Sequence, residues 1–344
     1  MGGVAEVQSR RRYRYRMRRL RSDRRGVVAV IGTLLALLVF FALFGIFLTQ
    51  YVPLWMTDNE SAFTAGAASS FAQFKSAIDT QYILGAPPTF GTPFTISSGG
   101  IPLLAQPTQG TLSFLPQTCP GGFYAAGMSG AHGPPSSNYG QPVNSAYCVF
   151  ENQSMSIGPG GSRALYLNVE TGILQMVLPN RYYPAEQFQF ENDGVIQVQS
   201  STYQLIAFSP PLNFTRLAGN TTVSSSFVQL FGNSSTVVGQ GAQEVYSHLR
   251  YSQHLASRGT TSSPTFTYTF EVGTQYPCAW SRFLWNQLNV SGIIPTGAYT
   301  WSPYTGSCVN SNGVTTELTL TLSSVNYASL YYAGMVITLG IGSS

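Results

Sequence analysis

The segment from Val27 to Leu48 constrains this chain more than any other feature of its sequence. It is an almost wholly apolar run, VVAVIGTLLALLVFFALFGIFL, inside a charge-free stretch from Gly26 to Thr57. At about 1.5 Å per residue, a helix of this run is roughly 33 Å long and spans a hydrocarbon core of about 30 Å. A soluble core helix is seldom apolar on all sides, and the apolar region of a secretory signal is shorter. We therefore predict a transmembrane helix over residues 27–52.

The charges of the chain are concentrated before this run. The first 25 residues contain ten arginines opposed only by Glu6 and Asp23, whereas the other 319 residues carry 7 basic and 11 acidic side chains. The positive-inside rule then predicts a basic cytoplasmic leader over residues 1–26 and an extracellular C-terminal part. Arginines interleaved with aromatics also suit a nucleic-acid arm, but their position beside the span favours membrane lipid, and we expect no nucleic-acid partner.

The chain as a whole has an unusual composition for a cytosolic enzyme. Only 9% of the 344 residues are charged, while 44% are hydrophobic. A typical soluble domain has about 25% charged residues. The hydrophobic content suffices for a sizeable core, so disorder through charge repulsion is excluded.

The residues after the span predict a second helical segment, an amphipathic stalk over residues 53–85. Pro53 lacks an amide donor and is expected to break or kink the helix. Thr57 and Glu60 have the spacing of a capping box at a new helix start. Apolar residues then recur at spacings of three and four, which predicts one buried helical face: Phe63, Ala67, Phe71, Phe74 and Ile78.

Residues 86–344 predict a head that is mainly β, an antiparallel β-sandwich-like domain. Apolar and polar residues alternate from Phe266 to Val272 and from Leu318 to Leu322, as in half-buried strands. Asp193-Gly194 lies between two apolar runs and indicates a hairpin turn. We expect one helix from Pro277 to Leu288, and a buried strand rather than a second span from Leu330 to Ile341.

The boundary Arg24-Arg25-Gly26, followed at once by the apolar run, resembles the class III signal peptide of archaeal type IV pilins and pilin-like surface proteins. The resemblance implies that a prepilin peptidase cuts between Gly26 and Val27 and leaves the apolar helix on the mature chain. It also implies an extracellular β-rich head on a pilin-like helix. Ile31 departs from the glutamate that many bacterial pilins have at this position, which removes an argument for register-specific polymerisation. An uncleaved membrane anchor is the alternative.

Four cysteines lie in the predicted head. An even number in an oxidising compartment predicts two disulfides, and the shortest loops favour pairing Cys119 with Cys148 and Cys278 with Cys308. The other two connectivities stay open. The spacing does not fit a zinc site.

The head also contains candidate N-glycosylation sequons. Glycans would supply solubility that the few charges do not. Asn59 forms a further sequon, but we expect it to be unused because it lies close to the membrane in a helical turn. The candidates in the head are Asn152, Asn213, Asn220, Asn233 and Asn289.

The sequence contains no recognisable catalytic motif, and we predict neither an enzyme nor a cofactor nor a metal site. We interpret the three histidines, His132, His248 and His254, as solvated loop residues, although a spacing of six would place the last two on one face of a strand. Glu191 and Asp193 could ligate calcium, but a solvated turn explains them equally. Several aromatics could contact a sugar or a partner, although packing is their default role: Tyr182, Tyr183, Tyr331, Tyr332 and Trp301.

The sequence therefore predicts a membrane-anchored cell-surface protein with a structural or adhesive role. If it assembles, the expected contact is a homo-oligomer or filament built through residues 27–52, with the heads displayed outside. A monomeric anchored binding module, carbohydrate-directed for example, is the alternative. An extracellular enzyme is the third hypothesis.

Overall fold

The computed structural model describes residues 28–85, 88–102, 104–116, 127–129, 149–157, 163–199, 203–239, 241–258, 265–302 and 316–340. The chain divides into two compact units, residues 1–57 with 101–106 and residues 58–100 with 107–344. The leader and the cleavage position between Gly26 and Val27 lie outside the described residues.

The described chain begins with one long helix, α1 (Val28–Leu84). Its first part exposes large apolar side chains on every side, and Leu34, Phe40 and Leu43 are each about 60% exposed. An 18-residue window reaches a mean hydropathy of 2.8 with no buried residue. By length and composition this part could cross a membrane, although a signal sequence near an N-terminus has the same properties.

Helix α1 continues through Pro53, where the sequence predicted a break or kink. Residues Phe47–Tyr51 form a π-helical turn, in which the Val52 N–H donates to the Phe47 carbonyl. Such a turn re-spaces the backbone just before a proline, which itself lacks a donor and clashes with the preceding turn. The predicted new helix start at Thr57 is wrong, because the Thr57 hydroxyl bonds back to the Pro53 carbonyl inside the helix.

The second part of α1 buries the face that the sequence predicted. Phe71 meets Phe94 edge to face with ring centroids 5.1 Å apart, and Phe74 meets Phe190 in the same way at 5.3 Å. The predicted apolar face is confirmed, since all five of its members are buried: Phe63, Ala67, Phe71, Phe74 and Ile78.

The rest of the described chain is mainly β, as predicted, and contains one more α-helix, α2 (Pro277–Val290), followed by a 3₁₀ turn (Ile294–Thr296). Trp280, Phe283, Leu284 and Leu288 are buried on α2. The strands are β1 (Phe90–Thr95), β2 (Thr111–Leu115), β3 (Gly127–Ser129), β4 (Val149–Ile157), β5 (Arg163–Thr171), β6 (Ile173–Leu178), β7 (Glu186–Glu191), β8 (Gly194–Val198), β9 (Gln204–Phe208), β10 (Asn213–Leu217), β11 (Asn220–Phe231), β12 (Ser235–Val238), β13 (Ala242–Arg258), β14 (Phe266–Thr274), β15 (Tyr299–Ser302), β16 (Thr316–Val325) and β17 (Tyr327–Gly340).

These strands form three sheets in the described part of the chain. Sheet A has the order β1-β13-β17-β11-β10, sheet B the order β12-β2-β6-β7-β8-β9, and sheet C the order β15-β16-β14-β4-β5-β3. The pairing of β11 with β17 is parallel, so the expectation of purely antiparallel sheets is wrong at this pair. The strands predicted from alternation are confirmed as β14 and β16, and the predicted final strand as β17.

Sheet A contributes to two hydrophobic cores. The helix-side core contains the buried face of α1 with residues of sheets A and B, and the second core contains α2 with residues of sheets A and C and Ile196 of sheet B. On β11, Phe227 lies in the second core and the next residue, Val228, in the helix-side core. Their partners Tyr332 and Ala333 on β17 switch in the same way. Because successive side chains of a strand point to opposite faces, one face of β11 and β17 packs in the helix-side core and the other face packs in the second core.

Strand β13 also contributes to both cores, but it does so by means of a β-bulge. Leu249 pairs with Met335, but Tyr251 pairs with Gly334, so Arg250 is the extra residue. A bulge reverses the facing of the residues that follow it. Leu249 therefore belongs to the helix-side core, whereas Tyr251 packs against the second core.

Candidate functional site

A cavity of about 830 Å³ lies where helix α1 ends on sheet A. Gly85 has a positive φ of 59°, and its N–H donates to the Gln81 carbonyl, which is a common way for a helix to end. The buried Gln81 amide donates to the Ser247 carbonyl at 2.7 Å and to the Pro88 carbonyl at 3.0 Å. These bonds fix the last turn of the helix beside β13.

One row of side chains across sheet A lines this cavity. Ser226 on β11 pairs with Tyr331 on β17, and Tyr331 pairs in turn with His254 on β13. Asp79 and Tyr82 complete the wall from the last turns of α1. Three strands that are far apart in sequence thus place a hydroxyl, a phenol and an imidazole side by side.

Aromatic rings form one wall of the cavity. His254 stacks on Tyr331 with ring centroids 4.0 Å apart and an angle of 18° between the planes. Tyr82 meets Tyr331 edge to face at 5.6 Å. The His254 Nε2 lies 3.0 Å from the Ser329 Oγ, which is buried and does not line the cavity. This pair therefore orients the imidazole ring rather than presenting a nucleophile to the cavity.

The Tyr82 hydroxyl is buried and has no hydrogen-bond partner among the described residues. Burial, together with the neighbouring Tyr331 and Asp193, raises the pKa of Tyr82 well above its usual range. The phenol is therefore neutral at physiological pH and can both donate and accept a hydrogen bond.

A chain of ionic contacts lies behind the same wall. The Lys75 Nζ is 3.2 Å from Oδ2 of Asp79 and 3.3 Å from Oδ1 of Asp193. The Ser226 hydroxyl donates to the second oxygen of Asp193 at 3.1 Å. Burial raises the pKa of Asp193 to about 6, even though the Lys75 ammonium acts in the opposite direction.

Asp193 belongs to a hairpin turn that is buried, contrary to the solvated turn that the sequence predicted. Asn192 and Asp193 have φ values of 48° and 59°, which fit the tight turn expected between β7 and β8. Glu191, at the start of this turn, accepts hydrogen bonds from Thr274, Trp280 and Gln189. Burial raises the pKa of Glu191 in spite of these bonds. The hairpin is confirmed, and its carboxylates bind protein groups.

Glu60 has a different partner from the one that a capping box would give it. Its carboxylate accepts hydrogen bonds from the consecutive N–H groups of residues 181–183, at 2.7 to 3.1 Å, and from the Thr108 hydroxyl. Burial alone raises the pKa of Glu60, but these hydrogen bonds lower it, and the net shift is downward. The side chain ties helix α1 to the loop between β6 and β7.

The predicted histidine positions are only partly described. His132 lies outside the described residues. His248 and His254 lie on β13 rather than in a loop. The bulge at Arg250 places them on opposite faces of the sheet, so the expected shared face is wrong. Among the described residues, no group of three or more His, Cys, Asp or Glu side chains could hold a metal ion.

The predicted modification sites are also described in part. Cys278 is buried on α2, whereas Cys119, Cys148 and Cys308 lie outside the described residues, so the disulfide pairing stays a prediction. Asn152 lies on β4, and the side chains of Asn213, Asn220, Asn233 and Asn289 are exposed. The Asn59 amide donates to the Gly99 carbonyl at 3.1 Å.

The aromatic residues predicted to contact sugars or partners separate into two groups. Tyr332 is buried in the second core, whereas Tyr331, its neighbour on β17, lines the cavity and Tyr182 is exposed. Sequence reasoning missed Asp79, Tyr82 and Ser226. A usable signal was the spacing of Lys75, Asp79 and Tyr82, which places three polar residues on one helical stripe.

Comparison of the chain with protein-family models, with characterised proteins and with solved structures finds no match in any of the three.

Proposed function

We propose that this chain is a structural or adhesive cell-surface protein of the archaeal type IV pilin-like class. The observation that supports this function best is the character of helix α1. Its first part is apolar and exposed on all sides, whereas its second part buries one face in a β-rich core. A helix with these two parts suits a protein that is held in lipid by one end and displays a folded domain at the other.

In this proposal a prepilin peptidase removes residues 1–26 by cutting between Gly26 and Val27. The β-rich part, with a sandwich-like core, lies outside the cell, and the sequons and cysteines are modified there. Assembly into a filament would transfer the apolar segment 27–52 from lipid into a bundle of identical helices. Backbone hydrogen bonds stay satisfied in both environments, because they are internal to the helix.

The assembly step can be tested on material sheared from the surface of cells that produce the protein. Filaments seen by electron microscopy should contain this chain, detected by a label on the β-rich part. A variant with Leu34→Asp and Leu38→Asp should be absent from filaments, because carboxylates are costly in an apolar bundle. Wild-type cells that have filaments without this chain would contradict the structural role.

The cavity at the end of α1 favours a second function, an anchored binding module. Its hydroxyl, imidazole and carboxylate groups beside a tyrosine face suit a neutral, polyhydroxylated ligand such as an oligosaccharide. A panel of immobilised neutral oligosaccharides tests this function. We expect binding that Tyr331→Ala reduces at least about tenfold and that Leu217→Ala, an exposed position away from the cavity, leaves unchanged. No binding across the panel would contradict this second function.

A further inference from the structure

Lys75 is the only lysine in the sequence. Of the 17 basic residues in the chain, the other sixteen are arginines. For an ordinary buried ion pair, arginine serves as well or better, because its guanidinium binds a carboxylate through two parallel hydrogen bonds. A lysine differs in one chemical respect that matters here: its ammonium group can lose a proton and become a nucleophile.

The surroundings of Lys75 contain the parts of an acyl-transfer site. The Nζ lies 3.3 Å from the Asp193 carboxyl group, and the two side chains are only 11% and 1% exposed. Both oxygens of Asp79 lie 3.2 Å from the same Nζ. The Ser226 hydroxyl donates to Oδ2 of Asp193, the Asp193 oxygen that Lys75 does not contact. A nucleophile, a carboxyl carbon, a proton carrier and a donor for the developing oxyanion therefore lie together.

We propose that Lys75 and Asp193 join through an intramolecular isopeptide bond that the folded protein forms by itself. The link would connect helix α1 to the β7–β8 turn, two positions 118 residues apart in the chain. It would hold the second part of α1 on its core even if the hydrophobic contacts were lost transiently.

The reaction starts with a proton transfer from the Lys75 ammonium to Oδ1 of Asp193, which gives an amine and a carboxylic acid. The Nζ lone pair then forms a bond to Cγ, while the electron pair of the C=O bond moves to Oδ2, where Ser226 donates its hydrogen bond. Asp79 takes a second proton from the nitrogen and passes it to the Oδ1 hydroxyl group. The C–Oδ1 bond breaks, the Oδ2 carbonyl re-forms, and one water leaves. The products are an amide and water, and no oxidant or cofactor takes part.

Burial favours this reaction in two ways. It destabilises the Asp193 carboxylate, so the protonated carboxyl group that reacts is more accessible than in water. It also holds the reacting groups together, and well-oriented intramolecular reactions reach effective molarities of about 10⁵ M or more. Asp79 and Ser226 both line the cavity at the end of α1, which gives the released water a path out.

The experiment is peptide mass spectrometry on the full-length protein, extracted from membranes, reduced, denatured and digested with chymotrypsin. We expect a branched peptide containing Lys75 and Asp193, lighter by one water than the two linear peptides together. An amine-reactive reagent should leave Lys75 unlabelled in the denatured wild-type chain. Linear peptides with a labelled Lys75 in the wild type would overturn the proposal, as would a branch that ends on Asn192.

Three variants separate the roles of Lys75, Asp193 and Asp79 in forming the link. Lys75→Arg keeps the positive charge but should give only linear peptides, and Asp193→Ala should leave Lys75 free to react with the reagent. Asp79→Asn removes the proton carrier without a change of shape, and we expect the link to form at least about 100-fold more slowly. A fully linked Asp79→Asn protein after the same time would exclude the role of Asp79. Circular dichroism on each variant identifies any that fail to fold.

Discussion

At the scale of single residues, the buried carboxylates of this protein are in two opposite electrostatic situations. Glu60 is held ionised by four donors, and its pKa is lowered. Glu191 is enclosed so completely that burial outweighs its three donors, and its pKa is raised. Because a shifted pKa links protonation to folding, the two residues should give opposite pH dependences of stability.

For Glu60 we predict that Glu60→Gln destabilises the protein at pH 7 by about 1–3 kcal/mol, because the amide presents N–H groups to backbone donors. A carboxylate with a lowered pKa contributes stability above its unfolded pKa and loses it as the pH falls through the folded pKa. The difference between wild type and variant should therefore shrink below about pH 4.5, the ordinary value for glutamate. Chemical denaturation in detergent at several pH values measures this difference in the free energy of unfolding. Glu244→Gln, at an exposed position, is the control, and equal effects of the two changes would contradict the assigned role.

For Glu191 the pH dependence of the stability contribution has the opposite sign to that for Glu60. An acid with a raised pKa favours the folded state below its unfolded pKa, and this contribution is lost as the pH rises towards the folded pKa. Glu191→Gln mimics the protonated form, so the stability of the variant relative to wild type should increase from pH 4 to pH 8. The same denaturation series measures the trend. A relative stability that does not change with pH would show that the carboxyl group does not titrate as its burial requires.

At the scale of elements, the buried face of helix α1 agrees with the prediction from the sequence, but the boundary predicted near Pro53 does not. The repeat from Phe63 to Ile78 predicted the buried face correctly because a helical period is a local property. Of the break or kink predicted at Pro53, the break is wrong, because the helix continues through the proline after a π-helical turn. A pattern of residue types does not encode that turn.

The strands likewise include some features that the sequence predicts and others that it does not. The β7–β8 hairpin and the strands β14 and β16 were predictable from turn residues and alternation. The parallel pairing of β11 with β17 and the bulge in β13 depend on contacts between distant segments. The cavity is not predictable from the sequence for this reason, since its row of Ser226, Tyr331 and His254 exists only through strand pairing.

The buried face of α1 gives a prediction at this scale. Phe74→Ala should lower the free energy of unfolding by about 3–5 kcal/mol, because it leaves a cavity between Phe94 and Phe190. Ile83→Ala, on the same helix but 78% exposed, is the matched control and should have little effect. Thermal or chemical unfolding of the two variants measures the difference. Similar losses in both variants would mean that α1 does not pack through this face.

At the scale of the whole molecule, the two parts of α1 differ in their surroundings. One part is apolar and exposed, and the other is a component of a β-rich core. The arginines before α1 predict which end stays in the cytoplasm, and the nine-residue charge-free interval after Leu48 separates the apolar run from Asp58. A chain with these parts is expected to be anchored by its N-terminal helix and to act outside the cell.

The most direct test of this account is the N-terminal residue of the mature protein, extracted from the membranes of cells that express it naturally and read by sequencing or by terminal-peptide mass spectrometry. We predict a chain that begins at Val27 and remains in the membrane fraction, because the proposed cut by a prepilin peptidase would remove the basic leader and leave the apolar helix. A membrane-bound chain that still begins at Met1 or Gly2 would contradict pilin-type processing. A soluble chain that begins after Leu48 would show that the apolar segment is a signal sequence and would contradict the anchor itself.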